Sequence, residues 1–387
     1  MTRITTRRTA LQNIFWGAAL GLSGLPLGCR SSDRLSELEM DAMAEAAESF
    51  RRKFDAPGLS VAIARDGRLV YEQAFGVVAH GSNEPLTTSH LFRIASVSKP
   101  ITSAAIFTLV EKSLLHTQDT IFGTNGILGT QYGTRAYANG IEKITVDHLL
   151  THTSGGWDPW HDPMFSNPSM SQAELISWAL DNMALQNPPG TVFAYSNFGY
   201  CLLGRVIEKV SGRTYSEYVK NEVLTPCGIA NMRIAGSTLP ERAPQEVFYY
   251  GQGSGPYDDP YNINVTRMDS HGGWIATPSD LVRFATHVDG FDARRNILQP
   301  QTIQTMATPS SVNPHYARGW NVNAKGHWWH GGDLGGATAI LVRTSTRFCW
   351  AALTNTRREK PDSSMEALDD LVWEMTSKVK AWRELRT

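Results

Sequence analysis

Strand-like segments lie at the two ends of this chain, and a long helical and looped stretch separates them. Leu59-Ser-Val-Ala-Ile-Ala64 and a second apolar run from Leu69 flank Arg65-Asp66-Gly67-Arg68. Asp-Gly between apolar runs predicts a tight hairpin. Short β-rich runs return at 317–322, 326–330, 337–342 and 348–355, separated by glycine or polar turns. Residues 115–310 read instead as loops and helices, with helical spacing predicted over 146–151, 171–182, 198–211, 215–223 and 278–288. Further helices are predicted over 36–54, over 96–112, and over 364–385, where Leu368, Leu371, Val372, Met375, Val379 and Trp382 share one face. The pattern predicts an α/β (α+β) fold, with one antiparallel sheet built from both ends and flanked by helices, plus a helical domain. The expected boundaries are 36–95 and 315–387 for the sheet-containing part and 96–314 for the helical part.

The first 28 residues have a different character. Arg3, Arg7 and Arg8 precede an apolar run from Ile14 to Leu27, with no acidic residue among them. The run is too short for a full membrane span and reads as an export signal, followed by a linker over 29–35. Thr6-Arg7-Arg8-Thr9-Ala10-Leu11 resembles a twin-arginine signal, with Ala10 where Phe is common. Leu25-Pro-Leu-Gly-Cys29 looks like a bacterial lipoprotein cleavage site, with an unusual Pro26. The expectation is an exported protein of the periplasm or cell envelope, anchored to the membrane if Cys29 carries lipid. A plain signal peptide and an uncleaved anchor are the alternatives.

Bulk properties exclude several function classes. A net charge of −1 over 387 residues gives no basic surplus for nucleic acid. No P-loop and no His-Glu-x-x-His occurs, so no nucleotide or metal cofactor is implied. Cys29, Cys201, Cys227 and Cys349 lack metal-type spacing. Cys201 and Cys349 sit in apolar runs and read as buried thiols; one disulfide is possible, with no pair nominated.

Ser96-Val97-Ser98-Lys99 precedes the apolar helix over 96–112. A serine hydroxyl is a poor nucleophile, and a lysine one helical turn on can reach it. Desolvation disfavours the ammonium and frees a neutral amine to act as base. Ser377 and Lys380 repeat the spacing in a charged C-terminal helix, where it reads as a solvated face. Tyr195-Ser196-Asn197 leads into another helix. Tyr195 can serve as a base only beside a cation such as Lys99, and Asn197 can orient that lysine or a substrate amide; the alternative is a turn tyrosine followed by a helix cap. His330-Gly331-Gly332 ends a predicted strand, where glycines permit close backbone approach. The N–H groups of Asp333 and Ser96 could there form an oxyanion hole; the alternative is a glycine-rich turn with a solvent histidine.

In this order, the three motifs resemble the serine β-lactamase and penicillin-binding-protein superfamily. The pattern is that of the class C β-lactamase, D-alanyl-D-alanine carboxypeptidase and family VIII esterase branch. Leu149-Leu-Thr-His-Thr-Ser-Gly155 and Gly272 to Phe284 look like further landmarks, so the resemblance spans roughly residues 36–380. It implies a hydrolase domain over 36–387 with the site between sheet and helical part. Ser96 would be acylated, Lys99 and Tyr195 would share the base role, Asn197 would position lysine or substrate, and Ser96 and Asp333 would supply the oxyanion hole. The departure is His330-Gly331-Gly332 in place of Lys-Thr-Gly. A largely neutral histidine and a missing hydroxyl disfavour β-lactams and favour esters, amides or D-amino-acid peptides. A true β-lactamase or D-Ala-D-Ala carboxypeptidase, and a non-catalytic binding or sensing module, are the other readings. Trp157, Trp160, His161 and the loop from Tyr249 to Tyr261 either line the cleft or pack the loops. The oligomeric state is left open.

Overall fold

The computed structural model describes residues 35–253, 255, 258–357 and 364–385. The segment read as an export signal, Cys29 and most of the linker lie outside the described residues. Six strands form one antiparallel sheet: β1 (Gly58–Arg65), β2 (Arg68–Gly76), β7 (Asn321–Val322), β8 (Trp328–Leu334), β9 (Ala337–Arg343) and β10 (Phe348–Thr354). Their order is β2-β1-β10-β9-β8-β7, so the N-terminal hairpin pairs with the C-terminal strands through β1 and β10. Asp66 and Gly67 form the hairpin turn, both at positive φ, as a two-residue turn between twisted strands requires.

The sheet is covered on both faces, and side-chain alternation shows how. Val61 and Ile63 of β1 and Trp350 and Ala352 of β10 join a cluster with α1 (Glu37–Lys53) and with α9 (Ser364–Lys378). Ala62, Ala64, Cys349 and Ala351 face the opposite cluster, which includes Leu281, Phe284 and Ala285 of α7 (Pro278–Thr286). A strand covered on both faces loses its apolar–polar alternation, and β9 and β10 are buried throughout. α1 begins at a capping box between Ser36 and Glu39 and carries Arg51, Arg52 and Lys53 in its last turn, both favourable to the helix dipole.

The remaining helices are α2 (Ser98–Glu111), α3 (Val146–Leu150), α4 (Gln172–Asn182), α5 (Asn197–Ser211), α6 (Tyr215–Val219) and α8 (Pro300–Ala307). Small strands β3 (Phe92–Arg93), β4 (Arg233–Ile234) and β6 (Trp274–Ala276) form a three-stranded sheet, and β5 (Tyr250–Gly251) runs parallel to β11 (Thr356–Arg357). α2 is buried almost all round, packing against α5, α6 and α8.

Several expected elements differ. The strand expected over 317–322 shrinks to Asn321–Val322, because Ala317 and Trp320 close a turn on each other. The helix expected over 215–223 breaks into α6 and a π-turn over Lys220–Leu224. α8 begins at Pro300, in its first turn where proline is tolerated, and lies outside the helices expected from sequence. α7, assigned by position to the helical part, packs on the sheet at β1 and β10. Among the described residues, no helix is long and apolar enough to cross a membrane, and Cys201, Cys227 and Cys349 are buried and unpaired.

Candidate active site

Ser96 lies in a short 3₁₀ turn, Ala95–Val97, that feeds directly into α2. Ala95 has φ 46°, an uncommon conformation for a residue with a side chain, held at the approach to the serine. The turn is tied to β6 by the Ile94 N–H donating to the Trp274 carbonyl at 3.1 Å. β8 passes against it. A Cβ at Gly332 would fall 3.1 Å from Ser96 N and closer still to the Ile94 carbonyl oxygen. Glycine at 332 is therefore what allows strand and turn to approach.

One turn into α2, Lys99 is fully buried. Its Nζ lies 2.9 Å from Ser96 Oγ, 2.7 Å from Asn197 Oδ1 and 3.2 Å from the His271 carbonyl oxygen. Burial pushes the ammonium down to about 7, and the Asp162 carboxylate offsets part of that fall. An ammonium donates to all three partners, Ser96 Oγ included, and loss of one proton leaves the other two bonds in place. Asn197 Oδ1 and the His271 carbonyl can only accept, so they take the two hydrogens of a neutral amine. Its lone pair is left facing Ser96 Oγ–H. Tyr195 also hydrogen-bonds Ser96, and burial pushes its phenol well above the ordinary range, so it stays protonated. The Lys99 nitrogen sits 4.7 Å from the centre of the Tyr195 ring.

Asn197 opens α5. Ser196 caps that helix through Gly199 N–H at 3.0 Å, and Asp162 takes the N–H groups of Asn197 at 2.5 Å and Phe198 at 3.2 Å. Three of the helix's first N–H groups are thus satisfied. Asp162 also accepts from Met164 N–H at 3.0 Å. Burial nevertheless pushes its carboxyl up to about 6, against the pull of these donors and of Lys99.

His330, on β8, is engaged at both ring nitrogens. Nδ1 lies 2.7 Å from the Gly331 carbonyl and Nε2 lies 3.1 Å from the Tyr316 hydroxyl. The same hydroxyl is 3.1 Å from His152 Nε2, while His152 Nδ1 accepts the Ser196 N–H at 3.0 Å. That backbone donor fixes the tautomers. His152 Nε2–H donates to Tyr316, Tyr316 O–H donates to His330 Nε2, and His330 Nδ1–H donates to Gly331. Burial pushes His330 down to about 3 and His152 well below its usual value, with Lys99 adding to both shifts. Both rings are neutral, and His330 has no free ring nitrogen for a substrate. It acts as a strut between β8 and Tyr316, which connects through His152 to the Ser196 N–H beside Tyr195.

These groups border a cleft of about 320 Å³, lined also by Phe165, Met268, Leu334 and Met365. Ser96, Tyr195, Asn197, His330 and Asp333 all line it. Ser377, which shares the spacing, is half-buried near the end of α9, donating to the Glu374 carbonyl at 2.6 Å, well away from this cleft's lining. The loop aromatics divide. Trp157 is buried edge-on against Phe198 at 4.8 Å, and Tyr249 is buried with its hydroxyl on Glu246 at 2.7 Å, so both pack loops. His161 pairs with Asp158 at 3.0 Å. Trp160 is 91% exposed and borders an adjoining hollow of about 410 Å³ that shares Phe165, Asp333 and Leu334 with the cleft. Among the described residues, no group of three His, Cys, Asp or Glu side chains is arranged to hold a metal ion.

Asp162, His152, Tyr316, His271 and Met365 were not singled out from sequence. Asp162 had a local signal, an aspartate before Pro163 in a cap position. His152 lies inside a stretch already noted as a landmark. Tyr316, the His271 carbonyl and Met365 reach the site only through tertiary packing.

Comparison with known proteins adds the following. The family model described as Beta-lactamase matches residues 43–372. Penicillin-binding protein 4* of Bacillus subtilis is 27% identical over 307 residues, covering 73% of this chain and 64% of that protein. The chain spans under two thirds of the length of the curated relatives first matched. The octameric penicillin-binding protein homologue from Pyrococcus abyssi superposes with TM-score 0.69 at 24% identity, over 89% of this chain and 80% of that one. The D-amino acid amidase from Ochrobactrum anthropi SV3 complexed with L-phenylalanine amide gives TM-score 0.72 at 21% identity, over 90% and 99%.

Proposed function

The chain belongs to the Beta-lactamase family, and from that premise we propose that it is a serine hydrolase that opens esters or amides through an acyl-enzyme at Ser96. The observation that carries this reading is the Lys99 nitrogen. It is fully buried, 2.9 Å from Ser96 Oγ, with its two hydrogens directed to carbonyl oxygens. A neutral amine so placed takes the serine proton as Oγ bonds to the substrate carbonyl carbon. The carbonyl oxygen becomes an oxyanion beside the N–H groups of Ser96 and Asp333. Tyr195 O–H then protonates the departing heteroatom and regains its proton from Lys99. Water, deprotonated by the same lysine, attacks the ester at Ser96; as the Oγ–acyl bond breaks, Lys99 returns that proton to Ser96 Oγ and the acid is released.

Neutral His330 and the absence of a hydroxyl at Gly331 support esters and amides over β-lactams. The structural likeness to a D-amino acid amidase supports amides among the substrates. The basic and apolar N-terminal segment supports export to the cell envelope, with Cys29 as a lipid site; mass spectrometry of that cysteine in the mature protein tests this.

The deciding experiment compares wild type with Ser96→Ala on p-nitrophenyl esters, amino-acid amides and nitrocefin, with intact-mass detection of a fluorophosphonate adduct. Wild type should turn over esters or amides faster than nitrocefin and gain one adduct. Ser96→Ala should do neither. Undiminished hydrolysis in Ser96→Ala refutes the nucleophile, and acylation without turnover makes the protein a sensor rather than an enzyme.

A further inference from the structure

Gly331 is not at positive φ, so no backbone demand explains a glycine there. Space does. A Cβ at 331 would fall 2.7 Å from Met365 Cγ, 3.0 Å from its Cε and nearer still to its sulfur. Side chain 331 and the Met365 thioether compete for one volume, on the side of β8 that faces α9. Both residues line the cleft that holds Ser96. Met365 is no loose cover. It sits in the first turn of α9, and Leu368, Leu371 and Val372 pin that helix into the core under the sheet.

From this packing we infer that Met365 is a specificity-determining residue, forming an apolar wall of the substrate cleft in the place a side chain at 331 would otherwise fill. The consequence concerns charge as well as size. Among the described residues, no lysine or arginine lines this cleft, and His330 is neutral with both nitrogens engaged. A substrate carboxylate set against the thioether would lose hydration with nothing to replace it. Phe165, Met268 and Leu334 continue the apolar surface. The substrate class is therefore an ester or amide whose group beside β8 is apolar and uncharged. A thioether adapts its shape at little cost, so the wall tolerates a range of such groups.

The inference rests on the hydrolase reading, and the test separates the two. Initial rates on p-nitrophenyl acetate, butyrate and octanoate are compared for wild type, Met365→Ala and Met365→Phe, each normalised to fluorophosphonate-reactive serine. Met365→Ala should raise the octanoate-to-acetate ratio of kcat/KM at least fivefold, and Met365→Phe should lower it. The opposite signs keep the test alive if one variant fails to fold. Gly331→Ala should cost at least tenfold in kcat/KM in the wild-type background and less than twofold beside Met365→Ala. Unchanged chain-length ratios, or an equal cost of Gly331→Ala in both backgrounds, overturn the role of Met365 and leave the hydrolase reading intact. A wild type that neither hydrolyses nor is acylated overturns both.

Discussion

In the proposed mechanism the proton affinity of Lys99 sets the pH at which this site works, and Asp162 sets the direction in which it can be moved. An ordinary lysine near 10.5 is neutral in about one molecule in three thousand at pH 7. With burial holding Lys99 at about 7, half the molecules carry the base. The gain is roughly three orders of magnitude in competent enzyme, equivalent to about 5 kcal/mol of differential interaction between the two protonation states. Acylation should therefore rise with pH through a single acid limb centred near 7. Tyr195 is held protonated well beyond the ordinary phenol range, so no matching alkaline fall is expected below about pH 9. His152, His271 and His330 are pushed down by burial and stay neutral across the limb. Asp162, at about 6, competes for the assignment, as does Asp333 on the cleft wall, whose carboxyl is raised by burial. Asp162→Asn tests the first. Its carboxylate stabilises the Lys99 ammonium, so removing the charge should move the limb to lower pH. If Asp162 itself were the titrating group, the limb should vanish. The assay is kcat/KM on p-nitrophenyl butyrate from pH 5 to 9.5, read at a wavelength insensitive to nitrophenol ionisation. A limb that stays near 7 in Asp162→Asn, or moves upward, refutes the coupling. A flat wild-type profile refutes Lys99 as the base.

Three further outcomes follow from the packing. Asp162 is held near 6 against 3.8 when unexposed to the fold, so the native state binds more protons between those values. Stability should fall as pH rises from about 4 to 6, by up to ~3 kcal/mol for such a shift, and urea unfolding should show the slope flattened in Asp162→Asn. Tyr316→Phe removes the hydroxyl between His152 and His330, leaving two buried ring nitrogens unpaired; a loss of about 1–3 kcal/mol for each orphan is expected, and unchanged urea unfolding would sink the hydrogen-bond chain. Trp157→Ala should cost about 3–5 kcal/mol as a fully buried indole is deleted, whereas Trp160→Ala should stay within about 0.5 kcal/mol.

Local signals account for what the sequence made legible. The Asp66-Gly67 turn, the short β-rich runs of β9 and β10, and the capped starts of α1 and α4 each depend on residues a few positions apart. Ser96 and Lys99 were legible for the same reason, since one helical turn sets their distance. The weakest expectations were those whose outcome depends on a distant partner. Residues 317–322 look like a strand, yet the Ala317–Trp320 turn takes their hydrogen bonds. Trp157 and Trp160 are three residues apart in one loop, and the first is buried by tertiary packing in the core, edge-on against Phe198, that their spacing does not carry.

The same distinction explains why the chemistry of the motif could not be read from the motif. Ser377 and Lys380 share the Ser96 and Lys99 spacing, but α9 ends at Lys378 between them and Lys380 is exposed. What separates the two is a set of groups drawn from four stretches of chain: Asp162 from a loop, Asn197 from the start of α5, the His271 carbonyl before β6, and the body of α2 itself. Each does one thing to Lys99. Burial removes water and lowers its proton affinity; two carbonyl oxygens hold its hydrogens; one carboxylate keeps the affinity from falling so far that the lysine could not hold the proton it takes from serine. A base must accept that proton and give it up again in each turnover, so an affinity near neutrality serves better than either extreme. Burying Lys99 neutral and Asp162 charged costs the fold stability that an apolar pair would not. That cost, concentrated around a single serine beside the strained φ of Ala95, is difficult to account for in a binding module and follows directly if the site must move protons.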